Sequence, residues 1–233
     1  MSFLTNSLPT FFHPGRRRQE GLAAFAKQEG LQFSTQDPIG LVDCALEIFR
    51  LSPYSRCTNV AWGTWQGLAM AVGDLWFGRG EQTPDGKVYS VAVVDLGEDV
   101  SLPMLMISRG NPPLELRAMR PIEFESEEFN RSLQVRCKDR EFAFRLVDPR
   151  MMEWLASTDH RFGFQVGGRR LLVHSHRLPP AGLIPLLGTT KAFHDHVPQL
   201  VWQECTRGSA DSRAGGTNDS GSVELPPSAS PAT

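Results

Sequence analysis

Histidine supplies the side chains best suited to metal chemistry in this 233-residue chain. His174 and His176 stand two residues apart in a segment that we predict to be a strand, so both side chains point to one face and could chelate a metal ion. His194 and His196 share this spacing, but in a predicted helix they diverge by about 200°, at roughly 100° per residue. A zinc site therefore needs a third ligand for His174 and His176, taken from His160, His194 or His196. The spacing matches no zinc signature, so histidines that face solvent on a sheet are the alternative.

Motifs for other kinds of catalysis are missing. Four glutamates cluster in a pattern more typical of a helix start than of paired catalytic carboxylates, namely Glu123, Glu125, Glu127 and Glu128. The sequence has no GxSxG nucleophile elbow. Gly78-Arg79-Gly80 is followed by Glu81, which predicts a turn and no phosphate-binding loop. We therefore predict a non-enzymatic binding or interaction module without a cofactor, and a metal- or small-molecule-dependent enzyme using the His174/His176 face is the alternative.

Aromatic residues crowd the stretch that contains Trp62, Trp65, Trp76 and Phe77. Such residues either line a ligand groove or partner surface, or form the core of a sheet. We favour the core.

Strands must position the histidines. Turn signals separate five strand candidates, which are 60–62, 64–76, 87–96, 104–108 and 114–117. Residues 161–176 predict a hairpin with Gly167-Gly168 as its two-residue turn, which places Phe164 opposite Leu171. One hairpin face is then apolar, and the other carries Gln165, Arg170, Leu172, His174 and His176. Consecutive strands with short turns predict an antiparallel meander.

Helices flank these strands. A stripe of Leu22, Phe25 and Ala26 predicts a helix over residues 17–29, and residues 41–50 are a further helix candidate. Ser126, Asp139 and Asp148 are predicted helix N-caps. A last helix follows residue 181 and kinks at Pro198. The predicted fold is α+β, a mostly antiparallel β-sheet meander flanked by N-terminal, central and C-terminal helices.

Residues 122–157 read IEFESEEFNRSLQVRCKDREFAFRLVDPRMMEWLAS. The ESEEFNR and PRMMEWL motifs resemble those of an uncharacterised actinobacterial family, a domain of unknown function, and residues 162–173 and 193–202 also fit. The resemblance therefore implies no activity and no catalytic residue. The polar residues of the block either cap and pin the turn or form a recognition patch, with Glu127, Asn130, Arg131, Arg136 and Arg150 as its candidates.

The chain ends differ from the rest in composition. Residues 206–233 are rich in Ser, Gly and Pro and predict a disordered tail, which leaves 17–205 as a single α+β domain. Residues 1–16 form an N-terminal arm with no export-signal pattern, so we expect a cytoplasmic protein. The arm either packs on its own domain or touches an anionic membrane surface, through Phe3, Phe11, Phe12, Arg16, Arg17 and Arg18.

Overall charge limits the partners. The 24 basic and 26 acidic side chains leave a formal charge of -2, without the basic excess of a nucleic-acid-binding protein. No apolar run reaches the roughly 18 residues that span a bilayer. We therefore expect no nucleic acid. An unknown protein partner or a membrane surface is compatible with this composition.

Overall fold

The computed structural model describes residues 14–44, 46–50, 52–77, 88–109 and 120–206. Within these residues, eight strands form one antiparallel sheet in the order β1-β2-β3-β4-β8-β7-β5-β6. The strands are β1 Gln32–Ser34, β2 Arg56–Trp65, β3 Leu68–Trp76, β4 Val88–Asp95, β5 Leu102–Ser108, β6 Gln134–Cys137, β7 Gly163–Gly168 and β8 Arg170–His176.

Seven α-helices occur in the same described residues. They are α1 Pro14–Gln28, α2 Glu47–Arg50, α3 Glu127–Ser132, α4 Arg140–Leu146, α5 Pro149–Ser157, α6 Leu183–His196 and α7 Gln199–Cys205. The α+β class with an antiparallel sheet is therefore confirmed. The predicted strand 114–117 and the turn at 78–80 lie outside the described residues.

The central helices begin where their capping residues predict. The side chains of Ser126, Asp139 and Asp148 each accept a hydrogen bond from the backbone N–H three residues ahead, at 3.2, 2.9 and 2.8 Å. These bonds satisfy donors that a helix leaves unpaired in its first turn. Local sequence thus places the starts of α3, α4 and α5.

The strand order departs from a simple meander. β1 to β4 are neighbours in sequence order, but the β7–β8 hairpin lies between β4 and β5. The predicted strand 64–76 is two strands, because Gln66 and Gly67 both adopt left-handed backbone angles and form a tight turn. The predicted helix 41–50 is a 3-10 turn at Leu41–Asp43 followed by the short α2.

The hairpin turn is one residue later than predicted. Gly168 alone of the two glycines has a left-handed φ, of 56°, so the turn is Gly168-Arg169 and Gly167 stays in the strand. A Cβ on Gly167 would lie 2.6 Å from the Cε of Met104, so a larger residue there would displace the methionine side chain. Phe164 therefore pairs with Val173 instead of Leu171. The two-residue shift preserves which side chains share a face.

Each face of the sheet carries its own core. The helical face packs against α1 and α3 to α7, with Leu22, Met151 and Phe193 among its buried members. The second face packs against the segment 41–50, through Leu41, Leu46, Ile48 and Phe49.

Candidate functional site

A cavity of about 420 Å³ opens on the second face beside α2, and we call it the sheet-end cavity. It lies where β4 and β7 begin and β5 and β8 end. Its volume falls in the roughly 300–1,000 Å³ range of small-ligand sites. The lining residues are Ile48, Phe77, Tyr89, Met106, Ile107, Ser108, Arg109, His160, Arg161, Phe162, Gly163, Phe164, Gln165, His174, Ser175 and His176.

Strand register brings the polar part of this lining together. Tyr89 pairs with His176 across β4 and β8, and Gly163 pairs with His174 across β7 and β8. Side chains two apart on a strand share a face, so the second-face positions of these strands line one wall. The sequence prediction that His174 and His176 share a face is therefore confirmed by the pairing.

His174 is held flat against its neighbouring strand. A Cβ on Gly163 would lie 2.5 Å from Nε2 of His174, so any other residue there would force the imidazole to move. Burial, and to a smaller extent the neighbouring His176, lower the pKa of His174 to about 4. The ring is therefore neutral at pH 7. Its nitrogens make no hydrogen bond with any described residue.

Tyr89 is the centre of an aromatic cluster in the cavity wall. Its ring stacks on His176 at a centroid distance of 5.0 Å and meets His174 edge-on at 5.9 Å. Phe77 contacts Tyr89 edge-on at 5.4 Å. Burial raises the pKa of Tyr89, so the phenol is protonated near neutral pH. This wall is thus aromatic, and its Tyr89 and His174 side chains carry no charge at pH 7.

Gln165 joins the cavity to the segment that covers the second face. Its side-chain Oε1 accepts a buried hydrogen bond of 3.1 Å from the backbone N–H of Ile48. This bond satisfies a donor in the first turn of α2. It therefore places Ile48 at the cavity wall.

The end of β5 contributes a cation. Arg109 donates through Nη2 to the carbonyl oxygens of Leu155 and Thr158, at 2.7 and 3.2 Å. These bonds fix the guanidinium at the C-terminal end of α5 without neutralising it. Burial lowers the pKa of Arg109 and Asp159 opposes that shift, but an arginine remains cationic near neutral pH. Among the described residues, Nε of Arg109 and Oγ of Ser108 are buried without a partner.

The structure divides the other three candidate histidines between this site and the helical face. His160 lines the cavity with His174 and His176. His194 and His196 belong to α6 on the helical face, where His196 stacks on Trp154 at 4.7 Å. They are therefore wrong as third ligands. No group of three or more His, Cys, Asp or Glu side chains suited to a metal occurs in the described part of the chain.

The predicted recognition patch is not one surface. Glu127 and Arg131 form an exposed ion pair at 3.5 Å on α3, and Arg150 is exposed on α5. Asn130 donates to the carbonyl oxygen of Phe124 at 2.7 Å and accepts from its N–H at 3.0 Å, so it pins the preceding segment.

Arg136 is separated from α3 by the sheet. Its neighbours Val135 and Cys137 belong to the helical-face core, so strand alternation puts Arg136 on the second face. There it is buried and donates to Oε1 of Gln134 at 2.7 Å. The prediction that Arg136 shares a surface patch with Glu127, Asn130 and Arg131 is therefore wrong, because they lie on opposite sides of the sheet.

The predicted membrane residues fall into two groups. Phe3, Phe11 and Phe12 lie outside the described residues, whereas Arg16 and Arg17 are exposed on α1. Arg18 instead turns inward and binds Asp74 through two hydrogen bonds of 2.6 and 2.5 Å. Its side chain is 9% exposed, so the prediction that it contacts a membrane is wrong. No helix of the described residues is long and apolar enough to span a membrane.

The boundaries of the arm and tail also shift. α1 begins at Pro14, three residues before the predicted helix. At the other end, Thr206 pairs with Val100 and the backbone of Ser101 bonds to Cys205 at 2.9 Å. Residues 207–233 lie outside the described residues, so the predicted disorder of the tail stays a prediction.

Several cavity residues escaped the sequence analysis. Tyr89 lies on β4, Met106 and Ser108 lie on β5, and Arg109 follows directly after β5. These strands meet the hairpin only through the strand order. Of the clustered aromatic residues, Phe77 lines the cavity, while Trp62 and Trp65 pack against the cores of opposite faces. Alternation along β5 marks Met106 and Ser108 as sharing a face, but no local pattern says which strand lies beside them.

Comparisons with known proteins show a shared fold. No protein-family model and no curated protein matches the chain. The structure is similar to the crystal structure of the mycobacterial trehalose monomycolate transport factor A, TtfA, with a TM-score of 0.60 and 15% identity. The match covers 78% of this chain and 97% of that one. The resemblance of residues 122–157 to an actinobacterial family stays a prediction.

Proposed function

We propose that this chain is a non-enzymatic binding module and that the sheet-end cavity holds its small-molecule ligand. The observation that carries the proposal is a pair of polar atoms in residues that line the cavity, Oγ of Ser108 and Nε of Arg109, which are buried without a hydrogen-bond partner among the described residues. Leaving a buried polar group without a partner costs about 1–3 kcal/mol, and a ligand that supplies the partner removes this cost.

The low pKa of His174 favours a binding role for the cavity over acid–base catalysis. General acids and bases work best when their pKa lies near the operating pH. The pKa of His174 is about 4, and no aspartate or glutamate occurs among the described lining residues to raise it. The alternative of an enzyme that uses the His174/His176 face therefore has less support.

The structural neighbour agrees with a binding role. That protein is named as a transport factor, which is compatible with a binding or transport-associated module. At 15% identity we take from it only this broad role. A protein partner and a peripheral membrane location are compatible with the same role.

A cavity-blocking variant tests this function. Ser108→Trp fills the sheet-end cavity with an indole, and Ser157→Trp makes the same change at an exposed position at the end of α5. Each protein is incubated with a small-molecule extract of its host, separated by gel filtration and assayed by mass spectrometry. Wild type and Ser157→Trp should retain the same compounds, and Ser108→Trp should retain none of them. Retention by Ser108→Trp, or by no form, contradicts the proposal.

A further inference from the structure

We propose that the ligand of the sheet-end cavity is an amphiphile with a single apolar chain and an anionic head group, and that Arg109 binds the head group. This inference rests on the proposed function, because it names the ligand class of the same cavity. It follows from the charges of the lining, from two polar atoms without partners and from the apolar walls.

The charges of the lining have one sign. The described lining residues include arginines and histidines but no aspartate or glutamate. Arg161 is neutralised by Asp159, which it binds at 2.7 Å. Arg109 has only backbone carbonyl oxygens as its hydrogen-bond partners among the described residues. Asp159 is near enough to raise its pKa, but this carboxylate binds Arg161 and not Arg109. An anion is therefore the complementary head group, and a cation is repelled.

Two neighbouring residues at the end of β5 point to the position of the head group. Nε of Arg109 and Oγ of Ser108 are buried and lack hydrogen-bond partners among the described residues. Buried polar atoms without partners are rare in proteins and need a specific explanation. An anionic oxygen beside Arg109 accepts from its Nε, and charge-assisted hydrogen bonds of this kind are stronger than neutral ones. Oγ of Ser108 is a further donor at the same end of the strand.

The remaining walls suit a hydrocarbon chain. Ile48, Phe77 and Met106 line the cavity with apolar residues. The phenol of Tyr89 is protonated and the imidazole of His174 is neutral at pH 7, so these two wall residues add no charge. Burying one methylene contributes about 0.8 kcal/mol. Two further methylenes should therefore tighten binding roughly tenfold until the cavity is full.

Isothermal titration with dodecanoate, below its critical micelle concentration at pH 7, tests the ligand class. We expect one dodecanoate per protein and binding that weakens roughly tenfold for each two carbons removed from the chain. Dodecyltrimethylammonium, which has the same chain and the opposite charge, should bind at least tenfold more weakly than dodecanoate. This comparison uses wild-type protein only, so it does not depend on whether a variant folds.

Substitution of Arg109 tests the head-group site. Arg109→Gln should weaken the binding of dodecanoate roughly 10- to 100-fold, which is the loss expected when a hydrogen bond to a charged group is removed. Arg109→Lys keeps the positive charge and should therefore lose less affinity for dodecanoate than Arg109→Gln does. Arg150→Gln removes an exposed arginine of α5 and should bind dodecanoate like wild type.

The possible outcomes distinguish failure of this ligand class from failure of the proposed binding function. Equal binding of dodecanoate and dodecyltrimethylammonium, or unchanged binding by folded Arg109→Gln, overturns the anionic head group. Failure of dodecanoate to bind, while Ser108→Trp still abolishes retention of host compounds, refutes the ligand class and leaves the cavity function intact. Dodecanoate binding that Ser108→Trp does not reduce places the site elsewhere and refutes the inference.

Discussion

Burial of a neutral His174 makes the stability of the protein depend on pH. The pKa of His174 is about 4 in the folded state, against about 6.5 in an unfolded chain. Between these values the unfolded state binds more protons, so the free energy of unfolding falls as the pH is lowered. The loss begins near pH 6.5 and is complete below pH 4.

The two pKa values set the size of this effect. Relative to pH 7, the contribution of His174 to the free energy of unfolding falls by roughly 2 kcal/mol at pH 5 and roughly 3 kcal/mol at pH 4. The surroundings explain why protonation is not compensated. The charged and titratable groups around the ring are His176, His160, Arg109, Arg161 and the protonated phenol of Tyr89, so no carboxylate among the described lining residues is there to bind an imidazolium.

Urea unfolding followed by tryptophan fluorescence measures the effect at pH 7 and pH 5. His174→Gln keeps a polar side chain that does not titrate, so its loss of stability over this interval should be roughly 2 kcal/mol smaller than that of wild type. His194→Gln removes a histidine on the opposite side of the sheet and should behave like wild type. If His174→Gln loses as much stability as wild type, the buried neutral imidazole is refuted.

Three further substitutions test individual contacts at different places in the fold. Asp74→Asn leaves Arg18 buried without its counter-charge and should cost about 3–5 kcal/mol in urea unfolding. Asn130→Ala breaks both hydrogen bonds to the preceding segment and should cost about 1–3 kcal/mol, also measured with urea. Gly163→Ala places a Cβ 2.5 Å from His174, so it should cost about 1–3 kcal/mol and shift the imidazole resonances in NMR spectra.

Each of these changes has a matched control. Glu20→Gln removes an acid from the exposed Arg16 pair and should leave stability unchanged. Arg131→Ala changes the exposed residue next to Asn130 and should have little effect on the free energy of unfolding. Gly188→Ala meets no atom within 4 Å in α6 and should be neutral or stabilising. A control that costs as much as its partner substitution would show that the named contact is not the cause.

Local patterns are reliable where a few neighbouring residues decide the conformation. The caps at Ser126, Asp139 and Asp148 are examples, because a side-chain oxygen and the N–H three residues ahead are both local. Strand alternation correctly put His174 and His176 on one face. The hairpin turn was misplaced by one residue, since two glycines compete and packing against Met104 keeps Gly167 in the strand.

Contacts between residues far apart in the chain cannot be predicted from local sequence patterns. The pair of Arg18 and Asp74 is 56 residues apart, and nothing near either residue indicates the other. Likewise, the grouping of Arg136 with Glu127, Asn130 and Arg131 followed their nearness in sequence, whereas the sheet separates Arg136 from α3.

Composition, periodicity and capping residues therefore determined the α+β class, most element positions and the shared face of the two histidines, because these depend on intervals of two to four residues. The cavity itself was decided by tertiary structure. It exists because the β7–β8 hairpin inserts between β4 and β5, which brings Tyr89, His174 and Arg109 to one end of the sheet. Strand order is set by the burial of both faces at once, a property of the whole chain that no local interval encodes.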